Sequence, residues 1–361
     1  MIMRHGAVII AGCMAIAINL AASAQTAPPS SYFNVQSYGA TGNGTTDDTG
    51  AINAAIAAAA AGVAPSGSQG AVVYFPTGVY EISSTIVLPN RVALHGPNGR
   101  GAIVQALNCQ KITCAAGQAS FTGLYMFHAY NEVNGQMSSM FGSRIQDMEL
   151  DFNDLAIQNS AIIWADAWQE TCGLERVVLY RFTQFGLVIA NGYGGAAYLP
   201  LKDIEVFGSA SGSLVGIKVG SIGVFGGFIL SIDGGSFAGG GNAQLPIGIE
   251  LQDTLVAKGL HFEQATVGIY HFGNGGLSVD TVTGASPNTT TGGSVTNLIE
   301  LGSTFTGVLN ARNLIGNGIS GPLIKNDVTG NNIAGGSNGN LAQYVLDLQS
   351  KPASVPASVL Y

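Results

Sequence analysis

The sequence predicts an all-β protein built as a parallel β-helix with an N-terminal capping helix. Glycine accounts for 52 of 361 residues and only 9% of residues are charged, so short strands joined by turns fit better than long helical bundles. From residue 144 onward, short apolar segments recur every 22 to 32 residues. Repeats of this length are typical of solenoids, which also explain a chain longer than a typical single domain.

The N-terminus predicts an export signal. Arg4 lies in a short positive region, residues 7–22 are almost wholly apolar, and the Ala-Ser-Ala of residues 22–24 is typical of a cleavage site. Cys13 follows Ile-Ala-Gly, which keeps a lipoprotein cleavage site open as an alternative.

Three segments follow from this interpretation: a signal peptide (1–24), a Pro/Ser tether (25–31) and one β-helix domain (32–361). We expect a secreted, periplasmic or cell-envelope protein without a membrane span in the mature chain. The net charge is −8 with only 13 Lys and Arg, so there is no basic stripe of the kind that binds nucleic acid.

A helix is expected early in this domain, after Asp47 and Asp48. These acids suit a helix start, where they satisfy free N–H groups and the helix dipole. Ile52, Ile56 and Val63 then form one apolar stripe. A solenoid needs a cap over its first coil, so we interpret this segment as the cap and the two aspartates as structural.

The repeats can be aligned coil by coil. The aligned positions are Met148, Val177, Ile204, Gly235, Leu260, Val282 and Leu314. A second motif falls between them, at Gly186-Leu187, Gly216-Ile217, Gly248-Ile249 and Gly268-Ile269. Each repeat therefore holds at least two strands, stacked about 4.8 Å from the next coil. The segment 341–348 is expected to be a C-terminal helix or a closing segment.

Because strand side chains alternate between faces, the alignment converts the sequence into columns. One column is apolar and is expected to point into the core: Leu150, Leu179, Val206, Phe237 and Phe262. Two flanking columns should point outward. They are Glu149, Val178, Glu205, Ser236 and His261, and then Asp151, Tyr180, Phe207, Ala238 and Glu263.

The outward columns supply the candidate catalytic residues. Glu149 and Asp151 are two residues apart on one strand, about 7 Å by strand rise, and Glu263 lies on the same face. Paired carboxylates can serve as general acid and base in glycoside hydrolysis. Asp166 is a further catalytic candidate because the two Trp residues flank it in the sequence. The alternative is that Asp166 stabilises a turn and that a neighbouring Trp packs in the core. For the outward acids, the alternative is that they are solvent-exposed side chains that keep this face of the sheet soluble and have no catalytic role.

Rings and polar groups near these acids are candidates for substrate binding. Aromatic rings can stack on sugars, while charged groups accept or donate hydrogen bonds to hydroxyls. The candidates are Tyr180, Arg181, Glu205, Phe207, His261 and Trp168.

Residues 33–56 combine a short strand, a Gly-rich turn, Asp-Asp-Thr and an Ala/Ile helix. With the blocks 72–80, 86–89 and 94–96, they resemble the start of the pectate lyase superfamily, in its rhamnogalacturonase and epimerase-like branch. The resemblance implies a right-handed, single-stranded, pectin lyase-like β-helix that acts on polysaccharide. The resemblance does not identify catalytic residues in this chain, because the polygalacturonase motifs are absent.

Three functions remain open from the sequence. An exported hydrolase with paired carboxylates is preferred, because acids outnumber possible Arg or Lys bases on the inferred face. The alternatives are a non-catalytic glycan-binding or spike-like surface β-helix, as monomer or homotrimer, and a polysaccharide lyase or uronate epimerase.

The cysteines and histidines predict no metal site. Cys109 and Cys114 could pair in an oxidising compartment, leaving Cys172 as a buried small apolar residue. No Cys/His cluster of zinc-binding type occurs. We expect no cofactor, although the family resemblance would imply Ca²⁺ if the protein were a lyase.

Overall fold

A computed structural model describes residues 32–63, 70–98, 100–166, 168–190, 198–220, 229–285, 294–333 and 338–347. The predicted signal peptide and tether lie outside these residues. The described chain is dominated by two large sheets, here called sheet A and sheet B.

The N-terminal part of the domain contains a 3₁₀ helix and an α-helix among its first strands. A 3₁₀ helix spans Val35–Tyr38 and helix α1 spans Thr49–Ala61. In chain order the strands are β1 (Tyr32–Asn34), β2 (Asn43–Asp47), β3 (Ala71–Tyr74), β4 (Gly78–Ile82), β5 (Ile86–Leu88), β6 (Val92–His95), β7 (Ala102–Ala106), β8 (Tyr125–Ala129), β9 (Asn131–Val133), β10 (Gln136–Ser138), β11 (Arg144–Asp151), β12 (Ala161–Asp166), β13 (Gly173–Phe182), β14 (Phe185–Ala190), β15 (Tyr198–Gly208), β16 (Val215–Val219), β17 (Ile229–Ala238), β18 (Leu245–Leu251), β19 (Thr254–Glu263), β20 (Ala265–His271), β21 (Leu277–Ala285), β22 (Asn297–Leu301), β23 (Val308–Asn317), β24 (Ile324–Asn326) and β25 (Asn338–Asp347).

From β11 onward the chain alternates between the two sheets. Odd-numbered strands from β11 to β23 stack in parallel in sheet A, and β5, β8 and the even-numbered strands from β12 to β24 stack in parallel in sheet B. Each coil therefore contributes one strand to each sheet, which is the architecture of a parallel β-helix. The predicted fold class is confirmed.

The predicted register is confirmed as well. Met148 pairs with Val177, Gly235 with Leu260 and Leu260 with Val282, in the order the repeats predicted. The predicted core column is fully buried along its length: Leu150, Leu179, Val206, Phe237 and Phe262. A slip of one residue would have exchanged core and solvent faces, so the correct register fixes which side chains face outward.

The long strands of sheet A from β11 to β23 share a bend, where each has a residue with positive φ. This column comprises Asp147, Arg176, Asp203, Gly234, Gly259, Thr281 and Asn313. Backbone here lies in the left-handed region, which is unfavourable for most residues. Arg176 donates two hydrogen bonds to Asp147, Nε–Oδ1 at 2.6 Å and Nη2–Oδ2 at 2.8 Å. The bend divides sheet A into two halves that face different directions.

Helix α1 packs against strands at the N-terminal edge of the described solenoid. It contacts β1, β3 and β5, and buries Ile52 and Ile56. The two aspartates differ from the expected capping arrangement. Asp48 precedes the helix but its carboxylate accepts from the backbone N–H groups of Thr41 and Gly42, at 2.7 and 3.0 Å. Asp47 instead accepts the Thr49 N–H at 3.0 Å.

At the other end, β25 pairs with β23 in the antiparallel direction. The predicted C-terminal helix is therefore wrong and the closing-segment alternative is the one observed. Reversing direction lets one strand cover the open edge of sheet A without a further coil.

The cysteines form the pairing that the sequence analysis allowed. Cys109 and Cys114 form a disulfide, and Cys172 is a free, buried thiol. In the part of the chain that the structure describes, no helix has both the length and the hydropathy to cross a bilayer.

Candidate active site on the front face

Most of the predicted site residues share one surface, the outer side of the second half of sheet A. We call it the front face and define it by the two outward columns, Glu149–Val178–Glu205–Ser236–His261 and Asp151–Tyr180–Phe207–Ala238–Glu263. Neighbouring positions in a column lie one strand spacing apart, about 4.8 Å. A linear polymer could therefore contact several coils at once.

Glu149 is linked to Glu205 through an arginine from a distant loop. Arg100 Nη1 lies 2.5 Å from Glu149 Oε2, and Nη2 lies 3.0 Å from Glu205 Oε2. Glu149 is only 5% exposed, and this burial raises the pKa of its carboxyl group. Glu205 keeps 47% of its side chain exposed. Of these two acids, Glu205 is the one that solvent and substrate can reach.

Asp151 is fully engaged in the structure. Its carboxylate accepts from Arg181 Nε at 2.8 Å, from Arg181 Nη2, from Gln105 Nε2 at 2.6 Å and from the Asn153 N–H at 2.8 Å. It is 2% exposed. A buried carboxylate with all these partners has little room to contact a substrate, so its geometry supports a positioning role.

Tyr180 and Phe207 form the aromatic part of the front face. Their rings meet edge to face at 6.3 Å, and the Arg100 guanidinium lies 5.9 Å from each ring centroid. Arg181 lies 5.2 Å from the Tyr180 ring. Together they line a cleft of about 380 Å³, closed on one side by Gly239–Gly241. The cleft combines ring faces with two cations.

Beside this cleft, the second half of β17 contributes two small residues, Ser236 and Ala238, to the front face. Glu205 stands on the preceding strand, and His261 and Glu263 stand on the following one. His261 Nε2 is 2.9 Å from Glu263 Oε1, and its Nδ1 is 2.7 Å from the Thr283 hydroxyl. Glu263 keeps 44% of its side chain exposed. Two accessible carboxylates thus flank a strand whose side chains on this face are small.

The structure separates two predicted residues from the front face. Asp166 ends β12 in sheet B, where it accepts a hydrogen bond from Trp164 Nε1 at 3.1 Å and lies 2.7 Å from His128 Nε2. Trp168 is 1% exposed, so its ring packs in the core and does not present a sugar-binding surface. The sequence placed both tryptophans beside Asp166 but could not tell which one was buried.

Sequence reasoning missed Glu81, which continues the second column towards the N-terminus. It lies beside Asp47 on β2 and Gln105 on β7 and is completely buried. Neither carboxyl oxygen has a hydrogen-bond partner. Burial, reinforced by the negative charge of Asp151, raises the pKa of Glu81 to about 8.

Glu81→Gln is expected to remove part of the pH dependence of stability. Because the folded pKa is about 8 and the ordinary value is 4.5, the folded state holds this proton more tightly than the unfolded state. The free energy of unfolding should therefore fall as pH rises from about 5 to 8, by on the order of 3 kcal/mol. Urea denaturation of the variant across this range should show a flatter profile. Glu132→Gln, at an exposed carboxylate of β9, is the control; identical slopes in all three proteins would contradict the assignment.

Within the described residues, no three His, Cys, Asp or Glu side chains converge on a point where they could hold a metal ion. The acids of the front face are instead paired with Arg100, Arg181 and His261.

The fold and the front face define a class, the pectate lyase-like β-helix proteins with a carbohydrate-active fold. The chain belongs to the rhamnogalacturonase A/epimerase, pectate lyase-like family, whose model matches residues 32–294.

Two curated relatives match parts of the chain. A non-secreted LysM effector of Penicillium expansum is 32% identical over 177 residues, 45% of this chain and 13% of that protein. A glucan 1,3-beta-glucosidase of Cochliobolus carbonum is 42% identical over 65 residues, 18% of this chain and 7% of that protein. The chain thus spans only a small part of either relative.

Among solved structures, DFA-IIIase from Arthrobacter chlorophenolicus A6 superimposes with a TM-score of 0.50 at 12% identity. The match covers 75% of this chain and 66% of that chain. Identity this low supports the shared fold alone.

Proposed function

We propose that the protein binds a polysaccharide across the front face and hydrolyses a glycosidic bond above β17. The observation that carries this proposal is the pair of accessible carboxylates, Glu205 and Glu263, on either side of a strand with small outward residues. Two strand spacings, about 10 Å, separate their strands. This leaves room for carboxyl groups about 6.5–9.5 Å apart, as in inverting hydrolases, with a water between them and the sugar.

The neighbouring groups suit the same chemistry. Tyr180 and Phe207 offer ring faces to sugars on the adjacent coils, and Arg100 and Arg181 supply hydrogen-bond donors. Arg100 fixes Glu205, and His261 fixes Glu263, so both carboxylates are held before substrate arrives. This assignment moves the acid–base pair away from Glu149 and Asp151, which are buried.

A second function is favoured by His261. An imidazole hydrogen-bonded to a carboxylate can accept a proton, as lyases and uronate epimerases require, and the two arginines could neutralise a uronate carboxylate. This function and hydrolysis would use the same surface, but they release different products.

The test is to incubate the purified protein with neutral and acidic polysaccharides and follow reducing ends together with ultraviolet absorbance of unsaturated uronate. Reducing ends without that absorbance are expected for hydrolysis. Both signals together would indicate a lyase, and inversion at C5 of a uronate without cleavage would indicate an epimerase. Binding without any product would overturn the enzymatic proposal in favour of a glycan-binding β-helix.

A further inference from the structure

A second apolar patch lies on sheet B, outside the solenoid core. Ala161, Val188 and Ala190 are buried there beneath the partly exposed rings of Tyr125, Trp164 and Phe185, and this cluster is separate from the main core. Trp164 pairs with Val188, and Ala161 with Phe185, in adjacent strands of the sheet. We call this surface the aromatic platform. A contiguous apolar patch on a soluble surface typically marks a binding site.

The rings of the platform form one ordered surface. Tyr125 and Trp164 are stacked with centroids 4.8 Å apart and an interplanar angle of 24°. The small side chains of Ala161, Val188 and Ala190 lie beneath these rings, so the rings can pack against the surface of sheet B. They border a cavity of about 300 Å³ whose lining is mostly apolar, with Asn159 and Lys218 at its edge. A mostly apolar cavity with a few polar groups at its rim is typical of ligand sites.

Polar contacts hold the rings in place. Asp166 Oδ1 accepts from Trp164 Nε1 at 3.1 Å, and Asp166 Oδ2 lies 2.7 Å from His128 Nε2. The His128 ring in turn lies 5.3 Å from that of Tyr125. Asp166, which the sequence suggested as catalytic, therefore orients two platform rings. Preorganised rings lose little conformational entropy when a ligand binds.

The charges around the platform are already paired. Lys218 Nζ donates to Glu250 Oε1 at 2.7 Å and lies 5.6 Å from the Phe185 ring, while Asp166 is paired with His128. The platform thus presents ring faces and hydrogen-bonding edges without an arginine, in contrast to the cation-lined cleft of the front face. An uncharged ligand with one apolar face and a hydroxyl-bearing edge matches this surface.

We propose that the aromatic platform is a second glycan-binding site, which takes an uncharged pyranose chain and performs no chemistry. The sugar ring lies on the face of Trp164 that Tyr125 leaves open, with Tyr125 stacked behind it, and hydroxyls at the edge of the sugar bond to Asn159 and Lys218. The site is independent of the function proposed for the front face. It would hold the protein on a neutral polysaccharide while the front face remains free.

The test uses tryptophan fluorescence and calorimetry with cellohexaose as the neutral probe and an oligogalacturonate as the acidic one. Because Trp168 is buried, a ligand-induced change in fluorescence should report chiefly on Trp164. We expect cellohexaose to bind and Trp164→Ala to weaken binding at least tenfold. Phe141→Ala, which removes an exposed aromatic ring outside both surfaces, should leave this affinity unchanged.

Two further variants guard against loss of folding. Trp164→Phe keeps an aromatic face and should retain most of the affinity, while Tyr125→Ala should lose it with the circular dichroism spectrum preserved. Failure of the folded parent protein to bind cellohexaose, preference for the acidic probe, or equal binding by Trp164→Ala would overturn the proposal. None of these outcomes bears on turnover at the front face, which the product assay measures separately.

Discussion

Under the proposed hydrolysis, replacing Glu263 with glutamine is expected to lower kcat by about 10²–10⁴-fold, the usual contribution of a general acid or base. The amide keeps the size of the side chain and can still bond to His261, which lies 2.9 Å away, but it cannot transfer a proton. Glu205→Gln should have an effect of similar size, because a hydrolase of this type needs both carboxyl groups. Initial rates of reducing-end release would measure both.

The matched control is Glu300→Gln, which removes a carboxylate from sheet B that is paired with Lys325. This variant should retain full turnover. KM for Glu263→Gln should change little compared with kcat, since the lost group acts on the transition state. Undiminished turnover in the Glu263 variant would exclude it from the acid–base pair and return attention to Glu149.

Arg181→Ala is expected to lower the free energy of unfolding by about 3–5 kcal/mol, because it leaves a buried carboxylate without its cation. Asp151 is 2% exposed, and Arg181 makes two hydrogen bonds to it. Chemical denaturation followed by circular dichroism would measure the loss.

Lys258→Ala provides the comparison for an exposed pair. Lys258 Nζ lies 3.2 Å from Asp233, but the two side chains are 65% and 55% exposed. Solvent screening should limit the loss to about 0–1 kcal/mol. Arg181→Lys should fall between the two alanine variants, because it keeps the charge and loses the bidentate geometry. Equal losses for Arg181→Ala and Lys258→Ala would show that Asp151 relaxes into solvent.

The sequence predicted the coil register correctly because two independent patterns agreed. Alternating apolar residues set the face of Leu150, Phe237 and Phe262, and a second motif such as Gly248-Ile249 recurred between the aligned positions. Both patterns are local, and parallel stacking repeats them in every coil. The fold could therefore be predicted almost completely over the repeats.

The site could be predicted only in part, because loops decide which outward residues reach solvent. Glu149 and Asp151 point outward as expected, yet Arg100 and Arg181 cover them. Arg100 lies before the clear repeats, so no column contained it. His128 pairs with Trp164 across adjacent coils, and extending the alignment one coil towards the N-terminus would have revealed the aromatic platform.

The left-handed bend residue that recurs in each long strand of sheet A from β11 to β23 limits how such a chain can change length. One inserted or deleted residue on either side of the bend would rotate every following side chain to the opposite surface, whereas a whole added coil leaves all columns intact. Length variation should thus occur in steps of about 4.8 Å along the axis. Under the proposed function, the number of sugar units that the front face can contact at once is set by the number of coils that carry it.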